Sequence, residues 1–185
     1  MFKVYRKIFE ITDYIRSKFR ILHLRLKYQN IVIDNKTRIE KNCKIVCVDT
    51  GSLILKGCHI SEGSFIIVAK NAELSIYDTF LGRNCLISSN KSIIIKNDCL
   101  IAEMVVIRDH NHKYNLNDDT IASLGNDKGA ISIENNVWIG AKATILKGVF
   151  IGENSVIGAH SLVNTKVEAN SVFAGIPAKK ITRKY

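Results

Sequence analysis

Residues 133–163 read IENNVWIGAKATILKGVFIGENSVIGAHSLV, with an aliphatic side chain at every sixth position. A period of six fits neither an α-helix, with about 3.6 residues per turn, nor an amphipathic strand, which buries alternate residues. It is typical of a parallel β-helix, in which each six-residue repeat forms one short side of a coil. The aliphatic positions, each of the first five followed four residues later by a small or β-branched residue, are Ile133, Ile139, Ile145, Ile151, Ile157 and Val163.

The same period recurs earlier in the chain, although less regularly. One coil of a β-helix cannot bury its own apolar side, so several coils must stack on one another. Between Ile45 and Leu81 the spacing is looser, which predicts coils with small insertions. We therefore predict an all-β fold in which a β-helix occupies residues 29–175. The earlier runs are Ile33, Ile39 and Ile45; Leu81, Ile87 and Ile93; and Ile95, Ile101 and Ile107.

Composition is that of one globular domain of 185 residues. The longest apolar runs fall well short of the roughly 18 residues of a membrane-spanning helix, and the basic N-terminus does not resemble a signal peptide. None of the five cysteines forms a CxxC pair, so we expect no metal site. Three of them stand at the small position of the repeat, as core residues would. Reduced cysteines predict a cytoplasmic protein.

Positive charge is concentrated at the two ends of the chain. The net charge is +10, of which +6 lies in residues 1–28. No compact basic motif interleaved with aromatic residues is present, so a nucleic-acid partner is not expected. Two local clusters favour specific anionic partners instead. The second cluster, in a basic tail predicted over residues 176–185, comprises Lys179, Lys180, Arg183 and Lys184.

Residues 1–28 are predicted to form an amphipathic helix and a lead-in to the first coil. Apolar residues spaced by three and four place the helix at residues 2–20, and alternation from Leu22 favours a strand or extended segment. The first interpretation of the helix is a cap on the β-helix or an oligomer contact. A compatible second role is binding to an anionic membrane surface, on the inner face of the cytoplasmic membrane. The helical positions are Tyr5, Ile8, Thr12, Ile15, Phe19 and Leu22.

The period stops at Ile107 and resumes at Ile133, which predicts an extruded loop over residues 108–130. Long polar insertions into a solenoid commonly build its functional face. The loop begins with His110 and His112 in a chain of five histidines. General-base catalysis is the favoured role for this pair. Metal binding is a weaker alternative, because no spacing identifies further ligands.

Three features together resemble the left-handed β-helix acyltransferases with hexapeptide repeats, and in particular the galactoside, maltose and polysaccharide O-acetyltransferases. They are the repeat itself, Ile101-Ala102 followed by His112, and residues 137–140 (VWIG) leading to residues 174–178 (AGIPA). The resemblance covers residues 31–183. It implies a left-handed parallel β-helix with three hexapeptides per coil, assembled as a homotrimer.

The resemblance also implies catalytic roles. His112 takes the position of the catalytic base, with His110 as the alternate, and Asp109 would orient the imidazole or contact the sugar. The backbone N–H of Ala141 would stabilise the oxyanion. Two further residues are implied to lie at the acceptor, and these are Asn84 and Trp138.

Acetyl-CoA is the implied co-substrate, lying in a groove between subunits with no metal required. Gly140, Ala141, Gly158 and Ala159 would form the floor under its pantetheine arm. Lys179, Lys180 and Arg183 would meet its phosphates. The equivalents of a Thr-Lys pair that contacts the cofactor are Asn164 and Thr165, with Lys166 one position later.

The activity implied is transfer of acetyl from acetyl-CoA to a sugar hydroxyl, in a surface polysaccharide or its precursor. One alternative is N-acetylation of an amino-sugar nucleotide, or acetylation of an antibiotic. Others are a non-catalytic hexapeptide-repeat scaffold and a metal-dependent lyase or hydratase.

Overall fold

The chain forms a parallel β-helix preceded by one long helix. The computed structural model describes residues 2–114 and 124–182, with side chains from residue 11 onward. Helix α1 spans Phe2–Lys27. Face A of the β-helix is a parallel sheet of β1 (Ile31–Ile33), β4 (Ser52–Lys56), β7 (Glu73–Tyr77), β10 (Ser92–Ile95), β15 (Ile131–Ile133) and β18 (Phe150–Ile151).

The other two faces complete a triangular prism of six coils. Face B contains β2 (Arg38–Ile39), β5 (His59–Ile60), β8 (Phe80–Leu81), β11 (Leu100–Ile101), β16 (Trp138–Ile139), β19 (Val156–Ile157), β21 (Val172–Gly175) and β22 (Ala178–Lys180). Face C contains β3 (Lys44–Cys47), β6 (Phe65–Val68), β9 (Leu86–Ser89), β12 (Val106–Arg108), β17 (Thr144–Ile145) and β20 (Leu162–Val163). Each coil runs from face A to B to C, which confirms the predicted parallel β-helix.

Coil length explains why the period is looser near the N-terminus. Leu53 pairs with Leu74, an offset of 21 residues, whereas Trp138 pairs with Val156, an offset of 18. The N-terminal coils are longer because β3, β4, β6 and β7 have four or five residues, whereas β16 to β20 have two each. The predicted insertions therefore lie mainly within lengthened strands rather than in protruding loops.

The core is a stack of aliphatic ladders inside the prism. All six periodic residues from Ile133 to Val163 are at most 1% exposed. The small positions are buried as well, and they include Cys85 and Cys99. Burial raises the pKa of the Cys58 thiol to about 12 and that of Cys85 to about 11. These cysteines therefore pack as small apolar residues.

Helix α1 covers the first coil with polar as well as apolar contacts. Ile21 is buried against the coil, and the Ser17 hydroxyl accepts the N–H of Ile39 at 2.8 Å. The Arg20 guanidinium donates to the Ile39 carbonyl at 3.0 Å, and Arg25 donates to the carbonyl of Ile33. The helix thus satisfies backbone groups that the open end of a β-helix leaves without a strand partner.

The predicted end of the N-terminal helix is wrong. The helix continues to Lys27 instead of ending near residue 20, because Ile21, Leu24 and Tyr28 lie on one helical face that packs on the coil. Of the predicted helical positions, Ile15 and Phe19 are exposed and do not pack on the β-helix. Among the described residues, no helix is long and apolar enough to cross a membrane.

The extruded loop begins and ends as an antiparallel hairpin. Strands β13 (His110–His112) and β14 (Asn126–Lys128) pair so that His112 lies opposite Asn126. Residues 115–123 lie outside the described part of the chain. At the C-terminus, β22 folds back antiparallel on β21, so the predicted basic tail begins as a strand.

Candidate active site

The hairpin leaves the prism at the corner where face C meets face A. It follows β12 and precedes β15, and Leu100 pairs with Trp138 across an offset of 38 residues. The next coil has an offset of 18, so the chain has 20 more residues between these two partners. Strands β13 and β14 form a sheet of their own outside the three faces, where a second molecule can reach their exposed side chains.

Asp109 anchors the base of the hairpin. Its side chain is fully buried and accepts the N–H groups of Asn90 and Lys91 at 2.7 and 2.8 Å. It also accepts the Ser89 hydroxyl at 3.0 Å, and Nδ1 of His110 lies 3.1 Å from its Oδ1. This burial argues against the predicted contact with a sugar and favours the other role, orientation of the His110 imidazole.

The two histidines of β13 have different surroundings. His110 is 7% exposed, whereas the side chain of His112 is exposed. His112 lines a cavity of about 540 Å³ with Tyr114, Asp127 and Lys147, among others. An acceptor hydroxyl can therefore approach His112 directly, as a general base requires.

Lys147 ties the hairpin to the next coil. Its Nζ lies 2.7 Å from Oδ2 of Asp127 on β14. The hydrogen bond from Lys147 lowers the pKa of the Asp127 carboxyl and so favours its charged form. The hairpin is thus held at both strands, by Asp109 on one side and by Asp127 on the other.

The predicted oxyanion donor lies at a different corner, where face B meets face C. The Ala141 N–H has no acceptor among the described residues, while its carbonyl accepts the N–H of His160 at 2.8 Å. A Cβ atom on Gly140 would lie 2.6 Å from the Ala159 nitrogen, so only glycine fits between these two coils. With Ala141 and Ala159, Gly140 and Gly158 form a smooth strip at this corner.

Asn84 lies further down the same corner. Its backbone is left-handed, with φ of 55°, and its side chain lies over Gly63. It lines an open cavity of about 600 Å³ together with Glu40, His59 and Arg83, among others.

Sequence reasoning missed the polar residues that share this cavity. Nε2 of His59 lies 2.8 Å from Oε1 of Glu40. The rings of His59 and Phe80 pack edge to face, with their centroids 5.3 Å apart. Burial acts to raise the pKa of the Glu40 carboxyl, but hydrogen bonds from His59 and the Glu62 N–H together outweigh it and lower that pKa. Glu40 and His59 lie diagonally on adjacent coils, 19 positions apart where aligned residues are 21 apart, and no fixed six-residue period marks that spacing.

Trp138 lies on the flat of face B, with its side chain 53% exposed. Its strand neighbours are Leu100 and Val156. Leu100 and Phe80 on the preceding coils are also exposed. Trp138 therefore belongs to an exposed apolar ladder and, within one chain, lies away from the hairpin.

The predicted cofactor cations are divided between described and undescribed residues. Lys179 and Lys180 are exposed on β22, and Lys180 pairs with Glu168, whose pKa the bond lowers. Arg183 lies outside the described residues. Asn164 and Thr165 are exposed just after β20, at the same corner as the hairpin.

One chain does not bring the predicted catalytic groups together. His112 projects from the corner between faces C and A, whereas Ala141 and Asn84 lie at the corner between faces B and C. The whole of face C separates the two corners. Within residues 2–114 and 124–182, no cluster of three or more His, Cys, Asp or Glu side chains is placed to hold a metal ion.

The model of the bacterial transferase hexapeptide, in six repeats, matches residues 130–165. The chain carries the hexapeptide repeat of bacterial transferases. The matched segment contains β15 to β20, the coils with the regular 18-residue spacing. The resemblance predicted from the sequence is confirmed.

Two relatives of this hexapeptide-repeat chain come from Escherichia coli. One is named "Putative lipopolysaccharide biosynthesis O-acetyl transferase WbbJ", is 39% identical over 106 residues, and the match covers 54% of each chain. The other is galactoside O-acetyltransferase, 33% identical over 130 residues, covering 66% of this chain and 56% of that protein. The chain thus spans a little over half the length of the curated relatives it matches.

A solved structure of galactoside acetyltransferase in complex with coenzyme A shares the fold. It is 26% identical, with a TM-score of 0.56, and the superposition covers 75% of this chain and 64% of that chain. The hexapeptide-repeat coils are therefore a scaffold that, in a similar protein, binds coenzyme A.

Proposed function

We propose that the chain transfers an acetyl group from acetyl-CoA to a sugar hydroxyl, with His112 as the general base. The acceptor is a surface polysaccharide or one of its precursors. The observation that carries the proposal is the exposed imidazole of His112 on a hairpin that is held at both strands. The names of the two relatives, both O-acetyltransferases of saccharides, support acetyl as the transferred group and a sugar as the acceptor.

The reaction proceeds directly between the two substrates. The neutral His112 imidazole takes the proton of the acceptor hydroxyl as its oxygen attacks the thioester carbonyl carbon. The carbonyl oxygen becomes an oxyanion, which accepts the Ala141 N–H. When the C–S bond breaks, the thiolate leaves and takes the proton from His112. Four of the five cysteines are buried and Cys43 is partly buried against the core, so no acyl-enzyme step is proposed.

The separation of the two corners supports a homotrimer. In a ring of copies, the hairpin of one copy lies beside the corner between faces B and C of the next, which brings His112 of one chain to Ala141 of another. The groove between them holds coenzyme A over the strip at Gly140, Ala141, Gly158 and Ala159. The cations proposed for its phosphates are Lys179, Lys180 and Arg183, and the proposed polar contacts are Asn164 and Thr165.

His110 is the second candidate for the base. Its contact with the buried Asp109 resembles the orientation of a base by a carboxylate. Its burial places it behind His112, so we assign it to positioning the hairpin. A cytoplasmic location accompanies the proposal, because the five cysteines are unpaired.

The test is thiol release from acetyl-CoA across a panel of sugars, oligosaccharides, sugar nucleotides, amino-sugar nucleotides and antibiotics. We expect release with a hydroxyl acceptor, acetyl ester in the product, and full activity after chelation. If the product with an amino sugar were an amide, the activity would be N-acetylation instead of O-acetylation. No thiol release with any acceptor would favour a scaffold, and activity lost on chelation and restored by metal would favour the metal-dependent alternative.

A further inference from the structure

Helix α1 presents a continuous apolar stripe to solvent. The five large apolar side chains of this stripe are between 48% and 80% exposed, which is unusual for one helix. The residues are separated by four, four, three and four positions, so they form one face of the helix. This outer stripe consists of Ile11, Ile15, Phe19, Leu22 and Leu26.

The outer stripe faces away from the β-helix. The docked face is formed by Ser17, Ile21 and Leu24 of α1 and by Tyr28 directly after it, which pack on or bond to the coils. At about 100° per residue, the centre of the outer stripe lies roughly 150° round the helix from the centre of the docked face. The helix therefore has two apolar faces, one used by the fold and one left for another surface.

Cations border the outer stripe on both sides. Lys18 and Arg25 lie along one border, and both also donate to backbone carbonyls of the first coil. Arg16 and Lys27 lie along the other border and are exposed. Arg16 is 3.9 Å from Asp13, with both side chains largely in solvent, so that pair neutralises little of its charge. An apolar stripe with basic borders matches the boundary between acyl chains and anionic headgroups.

We propose that α1 docks the protein on an anionic membrane surface through the outer stripe. The apolar side chains enter the headgroup boundary while Arg16 and Lys27 contact lipid phosphates. A second copy of the helix fits less well, because residues 1–28 carry a net charge of +6 and two such segments repel each other. The docked face stays on the first coil, so docking needs no rearrangement of the β-helix.

Docking would hold the hairpin at a set height above the membrane. The hairpin leaves the fourth coil, and strands of successive coils are about 4.8 Å apart, so it lies about 15 Å from the first coil. The helix adds roughly 10 Å. This consequence rests on the proposed function: the acceptor would be a lipid-linked saccharide, whose sugar hydroxyls extend that far from the headgroups.

The test is flotation of the full chain with phosphatidylcholine vesicles, with and without about 30 mol % phosphatidylglycerol. The stripe variant is Phe19→Ser with Leu26→Ser, at side chains 67% and 80% exposed. The matched control is Val32→Ser with Ile94→Ser, two exposed apolar residues of face A. A charge variant, Arg16→Glu with Lys27→Glu, tests the borders without altering the stripe.

We expect the native chain to float with anionic vesicles and to be released by about 0.5 M salt. The stripe and charge variants should each lower the partition coefficient about tenfold or more, with the control unchanged. The proposal would be overturned if the stripe variant and the control bound anionic vesicles equally. It would also be overturned if the native chain bound neutral and anionic vesicles equally, or floated with neither. If the native chain bound no vesicles and the stripe variant lost its oligomers, the outer stripe would instead be the contact with a second copy of the chain. Vesicle binding needs no acceptor, so it is judged separately from activity.

Discussion

Oδ1 of Asp109 lies 3.1 Å from Nδ1 of His110, and both side chains are buried where the hairpin leaves the fourth coil. The same carboxylate accepts bonds from Ser89, Asn90 and Lys91, which turn the chain between β9 and β10. The contact therefore joins the hairpin to the coil below it. His112 lies two residues further on, so this buried contact also fixes the position of His112.

Replacing Asp109 by Ala should destabilise the protein by about 2–3 kcal/mol, because the Ser89 hydroxyl and the N–H groups of Asn90 and Lys91 lose their buried acceptor. Urea unfolding measures the change. Asp127→Ala, which removes an exposed carboxylate from the other hairpin strand, is the control and should leave the unfolding midpoint nearly unchanged. Equal midpoints for the two variants would contradict the anchoring role.

His112→Ala should lower kcat by about 10²–10⁴ with little change in the KM for acetyl-CoA, because general-base catalysis acts on the chemical step. Steady-state thiol release with the acceptor found in the panel measures it. His23→Ala, on the exposed side of α1, is the control. If the His112 variant keeps near-full activity while His110→Ala loses it, the base is His110.

Mixed oligomers test whether each site is shared between copies. Ala159→Trp should block the groove floor, since the Ala159 side chain is exposed, and His112→Ala removes the base. Chains with one or the other defect, refolded together in equal amounts, would assemble sites from two different chains. In a ring, about one quarter of these sites combine an intact hairpin with an intact corner. We expect the mixed oligomers to recover about one quarter of the native activity. If they recovered no activity, the whole site would lie within one chain.

The repeat predicted the coils because burial repeats at a fixed spacing. Ile139, Ile145 and Ile151 each lie at the same place in successive sides of the prism, so their burial follows from the sequence. The extruded segment was predicted for the same reason, since a break in the spacing is as visible as the spacing itself. His110 and His112 were found through that break.

Other features depend on contacts that no local pattern records. The docked face of α1 mixes Ser17 with Ile21 and Leu24, so apolar spacing alone does not identify the face that packs on the coils. The Glu40–His59 pair is brought together by a coil of 21 residues, and the burial of Asp109 depends on a turn about 20 residues earlier. Pairing across coils of unequal length is not visible in a fixed period.

Gly140→Ala should destabilise the protein by about 1–3 kcal/mol, because the added methyl would lie 2.6 Å from the Ala159 nitrogen of the next coil. Thermal or urea unfolding measures this cost. Ala141→Ser is the matched neighbour, and it should have little effect on stability or activity because the proposed oxyanion donor is a backbone N–H. A larger loss of kcat in Ala141→Ser than in Gly140→Ala would count against that donor.

Asp34 should make stability depend on pH. Burial acts to raise the pKa of its carboxyl, but hydrogen bonds from Thr37 and the Gly57 N–H outweigh burial and lower it. The folded pKa therefore lies below the unfolded value of about 3.9. The stabilisation is complete above pH 5 and is lost as pH falls through the folded pKa. Asp34→Asn should thus cost about 1 kcal/mol at pH 7, an amount limited by solvent screening, and less at pH 3.

Urea unfolding of the native chain and Asp34→Asn between pH 3 and pH 7 measures this difference. Asp98→Asn is the control, because Asp98 lies at the equivalent corner of the fourth coil and its carboxylate accepts no hydrogen bond among the described residues. The free energy of unfolding of Asp98→Asn should differ from that of the native chain by an amount that varies less with pH. An Asp34→Asn cost that stays constant down to pH 3 would show that the hydrogen bonds from Thr37 and Gly57 do not favour the charged carboxylate, because only a lowered folded pKa makes the cost shrink in acid.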